Sequence, residues 1–499
     1  MLRKRITLGG ITMNISEVVV FVIYLCFMLG IGVYFFVRSK DGGDKAYFLG
    51  GRQMGAWVSA LSAGASDMSA WVLMGLPASI YVAGIGQAWI AIGLSIGYAI
   101  SWLVQAPRLR RFTIVANDSI TVPQYLTNRF LSKSKALQII CAVIFLVAYT
   151  VYAASSMKAC GTLFHTVIGI DTTTAMYIAT GIIVCYTFLG GFNAVCWTDF
   201  FQGLLMLAAL LIAPIFALGI INGGGAAMSF SDMPAGYWNL FENWKDVVSG
   251  LGWGLGYFGM PHIIVRFMSL ESQKSLKKSA KIGITWNVLI VIFSVAAGCI
   301  GHLLLGDIAD SSTVFIQMVR KIFPGVISGV LLSAILAASM STADSQLLVA
   351  SSSFTSDIYK PILRKNAGNG EILWVGRILV VLVAVIAYFI ASSKAEGAQT
   401  IMNLVENAWA GFGSAFGPTI ILSLFWRRFT YKGAVVGVVT GAVVDVLWLA
   451  FLSGTGIYEI IPGFLCGLAA AVIVTLADRQ PGEEVTAIFD KAIAEGFDE

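Results

Sequence analysis

The chain has 499 residues, 58% of them hydrophobic and only 12% charged, with a formal net charge of +5. A soluble domain carries about 25% charged residues, so a chain this apolar has too little polar surface to cover a water-facing core. The composition excludes a soluble globular protein, and the small positive excess does not point to nucleic acid.

Apolar residues recur in blocks of roughly 20, the length that crosses a bilayer as a helix. In chain order they predict thirteen membrane spans, at 15–37, 54–83, 86–107, 136–166, 173–190, 194–221, 247–265, 282–304, 324–355, 371–391, 398–426, 432–453 and 457–477. The first block is longer than a signal-peptide core and lacks an A-x-A cleavage site before Arg38, so it is read as a retained span. The seven cysteines all fall inside apolar blocks, without a C-x-x-C pair or metal-site spacing, and are read as small core residues. No segment is left for a separate soluble domain, and 478–499 reads as a short acidic tail, helical or disordered, on the cytoplasmic side.

Lys and Arg accumulate in cytoplasmic loops. With the N-terminus outside, 23 of them fall on inside segments, Arg266 among these, and 7 on outside ones. This predicts the N-terminus outside and the C-terminus inside. Arg3, Lys4 and Arg5 oppose that orientation, and a start at Met13 would remove the conflict.

An ionisable group at mid-membrane costs roughly 2.5–3.5 kcal/mol and therefore faces a cavity or a partner. Along the chain, the first break in the apolar pattern is 60–71, where Asp67 is flanked by Ser62, Ser66 and Ser69, with Gly64 just upstream. Small polar residues weaken a helix, and open backbone at this depth is tolerated only beside a cavity. A close helix contact through small residues is the alternative, but it gives Asp67 no role. The second is 250–262, where five glycines and a proline make a continuous helix improbable. Its G-x-G-x-x-G letters are rejected as a nucleotide fingerprint because no strand or βαβ unit surrounds them. Trp253 and Tyr257 are four apart, so residual helix puts both rings on one face; a core aromatic pair, and a core histidine at His262, are the plain alternatives. The last is 333–348, with the adjacent hydroxyls of Ser341 and Thr342, then Asp344 and Ser345. Back-bonding of the hydroxyls to the preceding turn is the alternative. Outside these stretches, 197–202 carries another intramembrane carboxylate, Asp199, and Asp199 and Gln202 have the spacing of a helix N-cap pair. Carbonyls from a broken helix together with two hydroxyls suit a hard cation such as sodium. There is no Walker loop and no nucleophile–base set, so neither an ATP-driven pump nor an intramembrane enzyme is expected.

The stretches LSAGASDMSAWVLMGLP (61–77), GGFNAVCWTDFFQ (190–202), WGLGYFGMPHIIVRFM (253–268), LLSAILAASMSTADSQLLV (331–349), AWAGFGSAFGP (408–418) and YEIIPGF (458–464) resemble the bacterial sodium/proline symporters of the solute:sodium symporter family. The resemblance runs from about Phe48 to Phe464. It implies an all-α integral membrane protein of the LeuT-like fold, with two five-helix repeats of inverted topology at 54–221 and 247–426. An extra span at 15–37 precedes the repeats, and two more at 432–477 follow them. It implies a sodium site built from the carbonyls of Ala65, Met68 and Ala338 and the hydroxyls of Ser341 and Thr342, with Asp67 linked to sodium. It implies a substrate cavity at Ser69, Trp71, Tyr152, Trp253, Tyr257 and Pro261, with His262 beside it. A second cation position falls on Asp199, Asp344 and Ser345, with Ser341. The chain departs from the family pattern at Ala70, where glycine precedes the tryptophan, and at Asp344, where a small residue is usual.

The function implied is import of L-proline with co-transported sodium across the cell membrane, by alternating access. Coupling to protons through Asp67, Asp199 or Asp344, and transport of another small organic solute, stay open. A membrane sensor would need a signalling domain larger than the 22-residue tail.

Overall fold

A computed structural model describes residues 5–8, 11–38, 48–393 and 400–494. Of the charges counted for orientation, Arg3, Lys4, Lys40, Lys45 and Lys394 lie outside the described residues. Apart from a short antiparallel hairpin, β1 (Arg5–Leu8) and β2 (Ile11–Asn14), the architecture is helical. Among the described residues, ten helices are long and apolar enough to cross a membrane by length and composition, and Ala70–Ala83 and Thr172–Cys185 are shorter apolar ones. Large side chains such as Val446, Phe389 and Phe451 point outward at 62%, 66% and 78% exposure. That is the surface a lipid solvent selects and water does not.

Helix α1 (Ile15–Arg38) is peripheral, with 17% of its most apolar stretch buried. It is fastened by Glu17, which accepts from Arg320 Nη2 at 2.6 Å and Ser328 Oγ at 2.7 Å. The predicted span at 54–83 is two helices, α2 (Ala56–Asp67) and α3 (Gly75–Ala83), with a 3-10 turn at Ala70–Val72 between them. Next come α4 (Ala88–Ile100), a wide turn at Ser101–Gln105 and α5 (Ala106–Val115), then α6 (Val122–Arg129) and α7 (Ala136–Ile168). The spans predicted at 173–190 and 194–221 are two helices joined end to end, taken together as α8 (Thr172–Ile220), with the break between them at Gly191. There φ is 67° and ψ 174°, a conformation that only glycine adopts without strain. Asp199 and Gln202 sit inside this run, which removes the N-cap reading of the pair.

The predicted span at 247–265 is broken as well, into α9 (Trp244–Gly252), a 3-10 segment at Trp253–Phe258 and α10 (Pro261–Ser269). Then follow α11 (Gln273–Leu305), α12 (Val314–Ile322) and α13 (Gly325–Ser353). The helix that begins at α13 runs on to Leu363, with 83% of its most apolar stretch buried, and is the centre of the bundle. Helices α14 (Asn369–Ala391), α15 (Ile401–Phe425), α16 (Tyr431–Phe451) and α17 (Ile460–Ala477) complete the membrane part. The tail forms α18 (Glu483–Ile493), which docks Phe489 edge-on to Phe112 at 5.3 Å and offers the Val485 carbonyl to Arg129 at 3.1 Å. The alternative of a disordered tail is thereby corrected as far as residue 494.

Glycines on both sides let α4 approach the second broken helix backbone to backbone. A Cβ on Gly97 would drive into the carbonyl of Gly254, and one on Gly93 would lie 2.8 Å from the Leu251 Cα. The glycines at 250 and 254 thus serve a close crossing as well as the break. Gly97→Val is expected to lower the melting temperature of the detergent-purified protein clearly, since overpacking costs about 1–3 kcal/mol. An unchanged melting curve would show that this crossing is not tight.

Candidate functional site

The two broken helices and α13 meet at the centre, where every side chain discussed here is buried. In the first break, the Met68 N–H closes the last helical bond to Gly64 O at 2.9 Å. The Ser69 N–H then turns back to Asp67 O, also at 2.9 Å, instead of reaching Ala65. The Ala65 carbonyl is released from the ladder and accepts from Ser341 Oγ on α13 at 2.8 Å. The same hydroxyl lies 3.2 Å from Ala338 O. Two of the five atoms expected around sodium, the Ala65 and Ala338 carbonyl oxygens, are therefore within hydrogen-bond reach of a third, Ser341 Oγ. Thr342 follows on α13, and its Oγ1 has no hydrogen-bond partner among the described residues although it is fully buried. Met68 itself ends α2 with φ −81° and ψ 73°, neither helical nor extended, which turns the chain at the break.

Asp67 ties the two breaks together. Its Oδ2 accepts from Tyr257 Oη at 2.6 Å, while Oδ1 is buried without a partner among the described residues. Its backbone carbonyl faces Tyr152 Oη and Trp71 Nε1, each at 3.4 Å. Ser69 is extended and caps the restart of the helix, its Oγ accepting from the Trp71 N–H at 3.4 Å.

Above these groups stands an aromatic wall. The Trp253 ring lies 6.0 Å from Trp71, 6.2 Å from Trp409 and 5.3 Å from Tyr458, centroid to centroid. Trp409 Nε1 donates to Trp253 O at 2.8 Å, and Gly256 leaves room for that indole. Trp253 and Tyr257 do not share a helix face as their spacing suggested. The glycine-rich segment winds as a 3-10 helix, whose three residues per turn set positions four apart on different sides. Trp253 joins the wall, and Tyr257 turns to Asp67 with its ring against Tyr98 at 5.0 Å and Trp409 at 5.1 Å. Pro261 opens α10, and the His262 N–H behind it donates to Tyr149 Oη at 2.8 Å. The His262 Nδ1 lies 3.3 Å from the same oxygen.

The second cation position looks different from its expectation. Arg266, counted among the cytoplasmic loop charges, is wholly buried on α10; this is a correction, and its cause is the short helix that restarts at Pro261. Its Nη2 meets Asp199 Oδ2 at 3.1 Å and Ser345 Oγ at 2.6 Å. Its Nε meets Ser62 Oγ at 3.1 Å, and its Nη1 the His262 carbonyl at 2.7 Å. Ser62 Oγ donates to Asp199 Oδ2 at 2.7 Å. Asp344 is fully buried on α13 beside Ser345. Arg266, Tyr149 and Trp409 are the site residues that sequence reasoning missed, although Arg266 and Trp409 stand inside stretches that carry the family resemblance.

Residues 47–441 match the family described as Sodium:solute symporter family. The high-affinity proline transporter PutP of Bacillus subtilis is 42% identical over 470 residues, covering 93% of this chain and 98% of the relative. A sodium/proline symporter of Escherichia coli is 41% identical over 492 residues, covering 95% and 96%. Among solved structures, a sodium-coupled sialic acid symporter in a substrate-bound outward-open state superposes with a TM-score of 0.78 at 19% identity, covering 94% of this chain and 99% of that one. Mhp1, a nucleobase-cation-symport-1 family transporter, gives 0.56 at 15% identity, covering 90% and 99%. These two likenesses bear on the fold alone, and they place it in the expected LeuT-like class.

Proposed function

The chain belongs to the sodium:solute symporter family, and from that footing we propose that it imports L-proline together with sodium by alternating access. It is a multi-pass protein of the cell membrane and not an enzyme. The observation that carries the sodium half is the Ser341 hydroxyl held 2.8 Å from the freed Ala65 carbonyl across the first break. The substrate half is supported by relatives named as proline transporters, 41–42% identical over nearly the whole chain.

Sodium binds where the Ser341 O–H now points. The hydroxyl hydrogen swings away, and the oxygens of Ser341, Thr342, Ala65, Ala338 and Met68 turn their lone pairs to the ion. Replacing one hydrogen bond by an ion that several oxygens share draws α13 onto the break and fixes it. At the restart the Trp71 N–H is held by the Ser69 hydroxyl and the Val72 N–H by the Ser69 carbonyl, so the substrate carboxylate takes the place of the Ser69 cap on Trp71. Trp71, Trp253, Tyr152 and Tyr257 enclose the pyrrolidine ring, with Ser69, Pro261 and His262 at the rim. Asp67, tied to Tyr257, makes the geometry of one broken helix depend on the other. Coupling is reciprocal: whatever factor sodium adds to proline affinity, proline adds to sodium affinity. The inverted repeats are assigned to 54–221 and 247–426, with thirteen spans, the N-terminus outside and the C-terminus inside.

The test is uptake into liposomes by the purified protein, with a panel of amino acids and imposed gradients. Accumulation of proline under an inward sodium gradient is expected, with little for other solutes. Accumulation under a proton gradient alone, or preference for another solute, would overturn the assignment.

A further inference from the structure

Below the cage described above, on whose sodium reading this inference rests, lies a set of groups that resembles a cation site in all but its occupant. Asp199, Ser62 and Ser345 converge there, wholly buried, from α8, α2 and α13. Ser345 is one turn beyond Ser341, and Ser62 three residues before Ala65, so the set is displaced from the cage by about 6 Å of helix rise. A carboxylate and two hydroxyls in an interior of low dielectric call for a positive charge.

The structure supplies that charge from the chain itself. The Arg266 guanidinium reaches Asp199, Ser62 and Ser345 at 3.1, 3.1 and 2.6 Å. Its remaining nitrogen is held by its own helix at His262 O, 2.7 Å away. The Phe192 ring lies beneath its plane, 5.3 Å from the central carbon. The backbone is pinned as well, because Ser59 Oγ donates to the Arg266 carbonyl at 3.1 Å. An arginine so clamped cannot swing aside to admit an ion without losing partners from three helices.

We infer that Arg266 is a tethered cation that permanently fills the position a second sodium would take, and so fixes transport at one sodium per substrate. Asp199 and Ser345 are then partners of the guanidinium and not ion ligands. Arg266 acts as a positioning residue: it neutralises Asp199 and ties α2, α8 and α13 to the second broken helix, one turn from the cage. The sodium that does move is confined to the carbonyls and hydroxyls above it.

The experiment compares wild type, Arg266→Lys and Arg266→Met by two readouts. One is the number of sodium ions moved per substrate at reversal in proteoliposomes. The other is the Hill coefficient of sodium-dependent thermal stabilisation of the purified protein, which does not require transport. Wild type and Arg266→Lys are expected to show a coefficient of about 1, and Arg266→Met a rise toward about 2 as sodium enters the freed position. Two ions per substrate in the wild type overturn the inference. So does an Arg266→Met protein that sodium stabilises with an unchanged coefficient. If Arg266→Met is not recovered folded, Arg266→Met/Asp199→Asn decides: recovery with a single sodium site supports the pairing, and equal instability overturns it. A wild type that sodium does not stabilise at all would remove the sodium reading itself, which is a different failure.

Discussion

Alanine at both Ser341 and Thr342 is expected to raise the sodium concentration for half-maximal uptake by roughly two orders of magnitude, since each oxygen contributes about 1.5 kcal/mol to a charged partner at the low end. The two positions are not equivalent. Ser341 already bridges to Ala65 and Ala338, so its loss also loosens the contact between α13 and the break. Thr342 Oγ1 is buried without a partner among the described residues, so Thr342→Val removes an oxygen while keeping the shape. That single change is expected to weaken sodium binding about tenfold and leave the folded protein at least as stable, because it deletes a buried polar atom that lacks a hydrogen bond. Sodium titration of thermal stability and of uptake checks both arms. An unchanged sodium requirement in the double variant would remove these hydroxyls from the ion site.

Much of this arrangement was legible before any coordinates. Blocks of apolar residues give the helices, because lipid permits no other open-ended backbone. The serine–aspartate and glycine-rich stretches give the breaks, because there the helix loses both propensity and ladder. What stayed hidden depends on distance across the bundle. Nothing near Arg266 in the chain reveals Asp199, 67 residues away. By sequence alone it stands at the end of an apolar block, just ahead of Lys274, Lys277 and Lys278, and so reads as one more loop charge. The i, i+4 pair of Trp253 and Tyr257 misled for a local reason: the glycines that break the α-helix also rewind it as a 3-10 helix. The N-cap spacing of Asp199 and Gln202 misled for another reason, since the helix that carries them already begins at Gly191, well ahead of the pair. Gly93 and Gly97 carry no signal until Gly250 and Gly254 are seen opposite them.

Tyr257→Phe and Trp253→Ala are expected to fail in different ways, and the difference tests the division of labour between wall and tie. Tyr257→Phe keeps the ring and removes the hydrogen bond that reaches the Asp67 carboxylate at Oδ2, while Oδ1 has no partner among the described residues. A hydrogen bond to a charged group contributes about 1.5–3 kcal/mol, so proline affinity should fall roughly tenfold to a hundredfold. Because Asp67 lies two residues from Ala65 and one from Met68, sodium affinity measured without proline should fall as well. Trp253→Ala removes the ring that stacks toward Trp71, Trp409 and Tyr458 and none of the oxygens around the ion. Deleting a large buried aromatic costs about 3–5 kcal/mol at its site, so proline uptake should nearly vanish at ordinary concentrations. Sodium binding measured without proline should stay within about threefold of wild type, since only the substrate-dependent part of the coupling has been lost. The measurement is a pair of titrations on each purified variant, sodium alone and proline at saturating sodium. A Trp253→Ala protein that keeps proline affinity would take that ring out of the substrate wall, and a Tyr257→Phe protein whose sodium affinity is intact while proline binding is lost would separate Asp67 from the ion and move the coupling elsewhere in the bundle.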